Sequence, residues 1–186
     1  MKPVQFLTIL TLIFGNSTAL FSQQEIDLLI QNKKYDEALL QINLQIGQNA
    51  TADLFYKKGL INNSLQNYQE AVMAFSEALK LQPDNPDILS EMADGLSALG
   101  NYHDANSYFQ KSAKLQPENL LLAAKLGRNY ISLKDFKQAY NCFSDIYTLD
   151  SINVYWNKQL AFCAFKTGKK SQAITLYKKV LQQKST

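Results

Sequence analysis

The sequence predicts an all-α protein, an α-solenoid built from antiparallel helix pairs. Two observations carry that expectation. Ala71, Ala105, Ala139 and Ala173 stand 34 residues apart, and four residues beyond each lies a large ring: Phe75, Phe109, Phe143 and Tyr177. Within each period the apolar residues fall at helical spacing in two blocks, with a polar or glycine-containing dipeptide between them. A fixed period of this length marks one supersecondary unit stacked on copies of itself. Composition agrees: of 186 residues, 46% are hydrophobic and 19% charged, and only 7 Gly and 4 Pro interrupt helices.

Taken in chain order, the first element is a predicted signal peptide over residues 1–22. Lys2 precedes an apolar run from Val4 to Phe14, which gives way to Gly15, Asn16, Ser17 and Thr18, with Ala19 and Ser22 as small residues suited to cleavage. By itself the run is too short for a stable membrane span, which needs about 20 apolar residues, so the segment is expected to be cleaved, with an uncleaved N-terminal tether as the alternative. No Cys closes the run to accept a lipid. The repeat domain is predicted over 23–186. It opens with a shorter, partial pair over 23–51, whose second helix carries Tyr35-Asp36-Glu37-Ala38, 33 residues before the copy at Tyr68.

Four full units follow, at 52–85, 86–119, 120–153 and 154–186. In the first of them, Phe55, Gly59 and Asn62 share one stripe of the first helix, and Ala71, Phe75 and Ala78 share one stripe of the second. The two stripes must face each other. Gly59 and Ala71 let the backbones approach, and Phe75 fills the space between them. Gln66-Asn67, Gly100-Asn101, Lys134-Asp135 and Gly168-Lys169 fall at the same phase and suit a tight turn between antiparallel helices. Leu-Gln-Pro at 81–83 and 115–117 ends the second helix, because proline disfavours helical geometry in the residue before it; Ser151 takes the next place in phase.

These residues resemble the tetratricopeptide repeat, a 34-residue helix-turn-helix unit with a small residue in its first helix, Ala-x-x-x-Phe in its second and a Pro near its end. The resemblance implies a right-handed superhelix whose first helices line a concave surface, and binding of a protein or peptide there without catalysis. It is inexact in places: Trp156 stands one place before the usual Trp, where Asn157 sits, and Ser112 and Ile146 replace a small residue of the second helix. The Lys and Asn set with which some members hold a partner's C-terminal carboxylate is absent, since Tyr56 and Leu60, Ser90 and Asp94, and Ala124 and Arg128 occupy those places.

The inventory disfavours an enzyme. One His (His103) and two Cys (Cys142 and Cys163) leave little for general acid–base, zinc or nucleophilic chemistry, and no phosphate-cradling Gly loop or Ser-centred elbow is present. No cofactor or metal is expected. A net charge of +3, dispersed along the chain, is too small for a nucleic-acid footprint. His103 reads as a solvated residue at the start of a second helix. Cys142 and Cys163 are placed at similar height on adjacent helices, as either a disulfide in an oxidising compartment or two separate buried thiols.

By phase, the groove is lined by Asp53, Tyr56, Leu60 and Asn63, then Asp87, Ser90, Asp94 and Ser97, then Leu121, Ala124, Arg128 and Ile131, and last Tyr155, Lys158, Phe162 and Phe165. Asp53, Asp87, Glu91 and Asp94 make its first half acidic. Lys125, Arg128, Lys158 and Lys166, interleaved with Tyr155, Phe162 and Phe165, make the second half basic and aromatic. Aromatics and Arg dominate binding energy at protein interfaces, so the expected partner-binding residues are Lys125, Arg128, Tyr155, Lys158, Phe162 and Phe165. The alternative for this half is a solvated helix face whose rings pack on one another or on the neighbouring helix.

In the last second helix Ile174 and Leu181 hold the phase that elsewhere packs on the next unit, and are candidates for an end-face contact. The function expected from the sequence is an exported, periplasmic or secreted adaptor that organises a cell-envelope complex. The alternative is a self-assembling structural element, a homo-oligomer joined through Ile174 and Leu181.

Overall fold

The computed structural model describes residues 23–183; the expected signal peptide lies outside them. Among the described residues ten helices and no strand follow in order: α1 (23–31), α2 (Tyr35–Gln48), α3 (Ala52–Ser64), α4 (Tyr68–Leu81), α5 (Pro86–Ala98), α6 (Tyr102–Leu115), α7 (Leu120–Ser132), α8 (Phe136–Leu149), α9 (Val154–Lys166) and α10 (Lys170–Gln183). The arrangement is an all-α tetratricopeptide-type solenoid. None of these helices is long and apolar enough to cross a membrane.

Each of α3, α5, α7 and α9 starts at a side-chain cap. Thr51 Oγ1 accepts the Leu54 N–H at 3.3 Å. Asn85, Asn119 and Asn153 do the same for Ile88, Leu122 and Trp156 at 3.2, 3.1 and 3.3 Å. Such caps satisfy amide donors that have no partner inside the helix. Pro86 adds a preset φ at the first helical position of α5.

The turns inside the pairs repeat one motif. Lys33, Gln66, Gly100, Lys134 and Gly168 all have left-handed φ, between 57° and 81°. In the second full turn the Gly100 N–H donates to Ser97 O at 3.0 Å and the Asn101 N–H to Leu96 O at 2.9 Å, the Schellman pattern that closes a helix and reverses the chain. Between pairs, α4 stops at Leu81 and α6 at Leu115, two residues before Pro83 and Pro117, as expected.

The expected interlock is present in the pairs α3–α4, α5–α6 and α7–α8, whereas Tyr177, the ring expected in the last pair, is 36% exposed. Phe75, Phe109 and Phe143 are fully buried. A methyl group on Gly59 would come within 2.3 Å of the Phe75 ring, and one on Gly127 within 2.9 Å of Phe143. Ser112 and Ile146, in place of the second small residue, are buried as well, and the Ser112 hydroxyl donates to Pro86 O at 2.7 Å.

Consecutive helices pack on each other from α2 to α10, and α3, α5 and α7 also touch one another directly. The layer whose helices approach more closely is the inner side of the curve, so α3, α5 and α7 line the concave face. Three buried clusters follow one another along the stack, from Ile26, Ile42 and Ile61 through Phe75, Met92 and Phe109 to Phe143, Leu160 and Leu176. His103 is exposed as the second residue of α6. Cys142 and Cys163 are free thiols, and burial pushes them up to about 11 and about 12.

Candidate functional site

Among the residues expected along the groove, Asp53, Asp87, Leu121, Arg128, Tyr155, Lys158 and Phe165 are exposed, and Tyr56, Ser90, Asp94, Ser97 and Phe162 are half-buried. Ala124 departs from the expectation. It is 2% exposed and belongs to the core beside Ala139 and Phe143, because a methyl group is too short to reach the surface past its neighbours.

Lys125 occupies the middle of the groove and does not extend a free basic half. Its ammonium donates to Ser90 Oγ at 3.1 Å, lies 3.6 Å from Glu91 Oε1 and pairs with Asp94. Its side chain is only 17% exposed. The carboxylates assigned to one half and a cation assigned to the other therefore form one internal cluster. The corresponding residue one unit earlier is Glu91 of α5, and two units earlier Lys57 of α3. Lys57 pairs with Asp27 at 2.6 Å and with Asp53 at 3.2 Å. This charged column, recurring at 34 residues, is the sequence signal for the internal ion pairs.

The first part of the groove is electronegative. Burial and the nearby Glu91, Asp87 and Asp53 carboxylates push the Tyr56 phenol up to about 12. Glu91 is held above the ordinary carboxylate range by burial; Lys125 pulls it back down and Asp94 pushes it up. One hollow runs beside Tyr56, Asp87, Ser90, Glu91 and Lys125, and the next beside Asp94, Ser97, Lys125, Arg128 and Asn129.

In the last part, the Phe162 ring meets Phe136 of α8 edge-on, with centroids 5.8 Å apart, and Lys166 lies 5.6 Å from both rings. Phe162 thus packs on the neighbouring helix while Tyr155 and Phe165 remain 46% and 56% exposed on α9. Ile174 and Leu181 of α10 are 55% and 65% exposed. The described residues hold no group of three or more His, Cys, Asp or Glu suited to a metal ion.

Tetratricopeptide-repeat family models match residues 52–85 and 159–183. A search of curated proteins finds no match. Solved structures are similar over most of the chain. MamA 41-end from Desulfovibrio magneticus RS-1 superposes with a TM-score of 0.83 at 18% identity, over 90% of this chain and 95% of that one. A crystal structure of MamA gives 0.80 at 13% identity, over 86% and 94%. YrrB, described as a TPR protein with an unusual peptide-binding site, gives 0.78 at 17% identity, over 85% and 82%. At these identities the likeness is one of fold. Together with the two repeat matches it shows a tetratricopeptide-repeat fold.

Proposed function

We propose that this tetratricopeptide-repeat chain is an exported, non-catalytic adaptor that holds a segment of a partner protein along its concave face and organises a cell-envelope complex. The observation that carries the reading is the strip formed by Arg128, Tyr155, Lys158 and Phe165, all exposed, beside Phe162. Arg and aromatic side chains left in water at a concave surface are the residue types that supply binding hot spots. The peptide-binding site ascribed to YrrB, a protein of similar fold, supports a segment as the ligand. Export is supported by Lys2 and the apolar run that follows it.

A second reading is self-assembly through α10, favoured by the exposure of Ile174 and Leu181. Crosslinked capture from the native envelope fraction separates the two. The native chain is compared with Arg128→Glu, with Arg128→Glu plus Phe162→Ala, and with Ile174→Glu plus Leu181→Glu, each checked for retained helicity. A partner captured by the native and the α10 variant, and lost with the Arg128 variants, is the expected result. Capture of the chain itself alone, abolished only by the α10 variant, overturns the adaptor reading.

A further inference from the structure

Lys125 consumes most of the charge inside the groove. It neutralises part of the Glu91 and Asp94 pair from within, and Lys57 does the same for Asp53. Two exposed charges on the α5 and α7 stretch of this face then stand out: among the described residues, neither Asp87 nor Arg128 forms an ion pair. Asp87 borders the hollow that also holds Tyr56 and Glu91, and Arg128 borders the next one. Lys125 lines both hollows, so they form one trough with a sill between them.

Resting on the groove reading above, we propose that this trough takes an extended segment carrying a basic residue and an acidic residue about four positions apart, with the basic side chain on Asp87 and the acidic one on Arg128. The spacing follows from the fold. Asp87 is the second residue of α5 and Arg128 the ninth of α7, and these two helices run parallel and in contact. Seven helical residues rise about 10.5 Å, and one helix-to-helix step adds about 8–10 Å sideways, which gives roughly 14 Å. An extended chain covers that in about four residues at about 3.3 Å each.

The chemistry at each end fits. A cation beside Asp87 also lies next to the Tyr56 ring and in the field of Glu91 and Asp53, which with burial and Asp87 push the Tyr56 phenol up. At the other end the planar guanidinium of Arg128 presents paired donors to a carboxylate. A segment with two basic residues gains at the first end and is repelled at the second, and one with two acidic residues meets the reverse.

The test uses fluorescence anisotropy with labelled synthetic peptides of Gly and Ser that carry Lys-x-x-x-Glu, Lys-x-x-x-Lys, Glu-x-x-x-Glu or Lys-x-Glu. The native chain is expected to bind the first at least fivefold more tightly than each of the others. Asp87→Lys is expected to move the preference to the two-Glu peptide, and Arg128→Glu to the two-Lys peptide. Both residues are exposed, and circular dichroism checks that both variants stay helical; Asp87→Asn, which removes charge without reversing it, should only abolish the preference. Absence of binding by all four peptides, equal binding, or preferences that ignore the substitutions overturns the proposal. If envelope capture depends on Arg128 and Phe162 while these preferences are absent, the groove reading stands and this one fails. If the preferences follow the charges while capture ignores Arg128 and Phe162, the strip on α9 fails and this one stands.

Discussion

The Ser97 hydroxyl, near the end of α5, donates to Asn129 Oδ1 on α7 at 2.9 Å. The same amide donates from Nδ2 to Tyr102 O at 2.8 Å and to Asn106 Oδ1 at 2.7 Å, both on α6. Asn129 is 4% exposed, so one buried side chain ties two consecutive units through three hydrogen bonds. Asn129→Ala takes the partner from the Ser97 hydroxyl and from Asn106 Oδ1 and should cost about 1–3 kcal/mol, the usual cost of leaving a buried polar group without its hydrogen bond. Stability in a stacked array is largely a matter of nearest neighbours. Amide hydrogen exchange should therefore accelerate in α5, α6 and α7 more than in α9 and α10, and uniform acceleration would count against this role.

Gly59 and Phe75 give a second expectation. The Phe75 ring is fully buried and lies where a Gly59 methyl group would sit. Gly59→Ala gains about 1 kcal/mol of helix propensity but overpacks the site by about 1–3, so a net loss is expected. Phe75→Leu loses ring volume and should also destabilise the chain. Their combination should lose less than the sum, because the smaller side chain makes room for the methyl group. A denaturant double-mutant cycle reads this directly, and strict additivity would mean that the two residues do not share the site.

The turns offer paired substitutions of opposite sign. Lys134 holds φ 61° and Gly168 φ 81°, at the same place in successive units. A non-glycine residue in left-handed geometry costs about 1–2 kcal/mol, part of which is offset because glycine loses more chain entropy on folding. Lys134→Gly should raise the thermal midpoint slightly. Gly168→Ala should lower it; there is open space around Gly168, so the loss is purely conformational. Equal shifts of the same sign in both variants would contradict this account.

Much of the fold was legible because the period records geometry that recurs. The Ala71 and Phe75 columns mark the interlocking face, and the turn dipeptides mark the left-handed residue. The cap column of Asn85, Asn119 and Asn153 repeats as faithfully but is polar, and a search for apolar stripes passes over it. The groove was less legible. Phase tells which side of a helix a residue occupies, but not how far its side chain reaches: Ala124 is too short and is covered, whereas Lys125 next to it is long enough to cross to α5. Charges sorted by position into two halves consequently meet as an ion pair.

Burial of Glu91 at that meeting makes stability depend on pH. Glu91 is drawn upward chiefly by burial; Lys125 opposes the rise and Asp94 adds to it, while Asn63 Nδ2 donates weakly at 3.5 Å. Because the folded carboxyl keeps its proton to higher pH than the unfolded one, the folded state binds more protons across that interval. Stability from this group is then present in full below the unfolded value, about 4.3, and is lost as pH rises through the folded value. Glu91→Gln should flatten this segment of the stability profile. Lys125→Met should do the opposite: without the opposing cation, Glu91 and Asp94 face each other alone, the folded value climbs further, and the loss on neutralising acid becomes larger and extends to higher pH. Urea unfolding of the three proteins at steps from about pH 4 to pH 7 distinguishes them, and parallel profiles for all three would show that Glu91 titrates alike in the folded and unfolded chains.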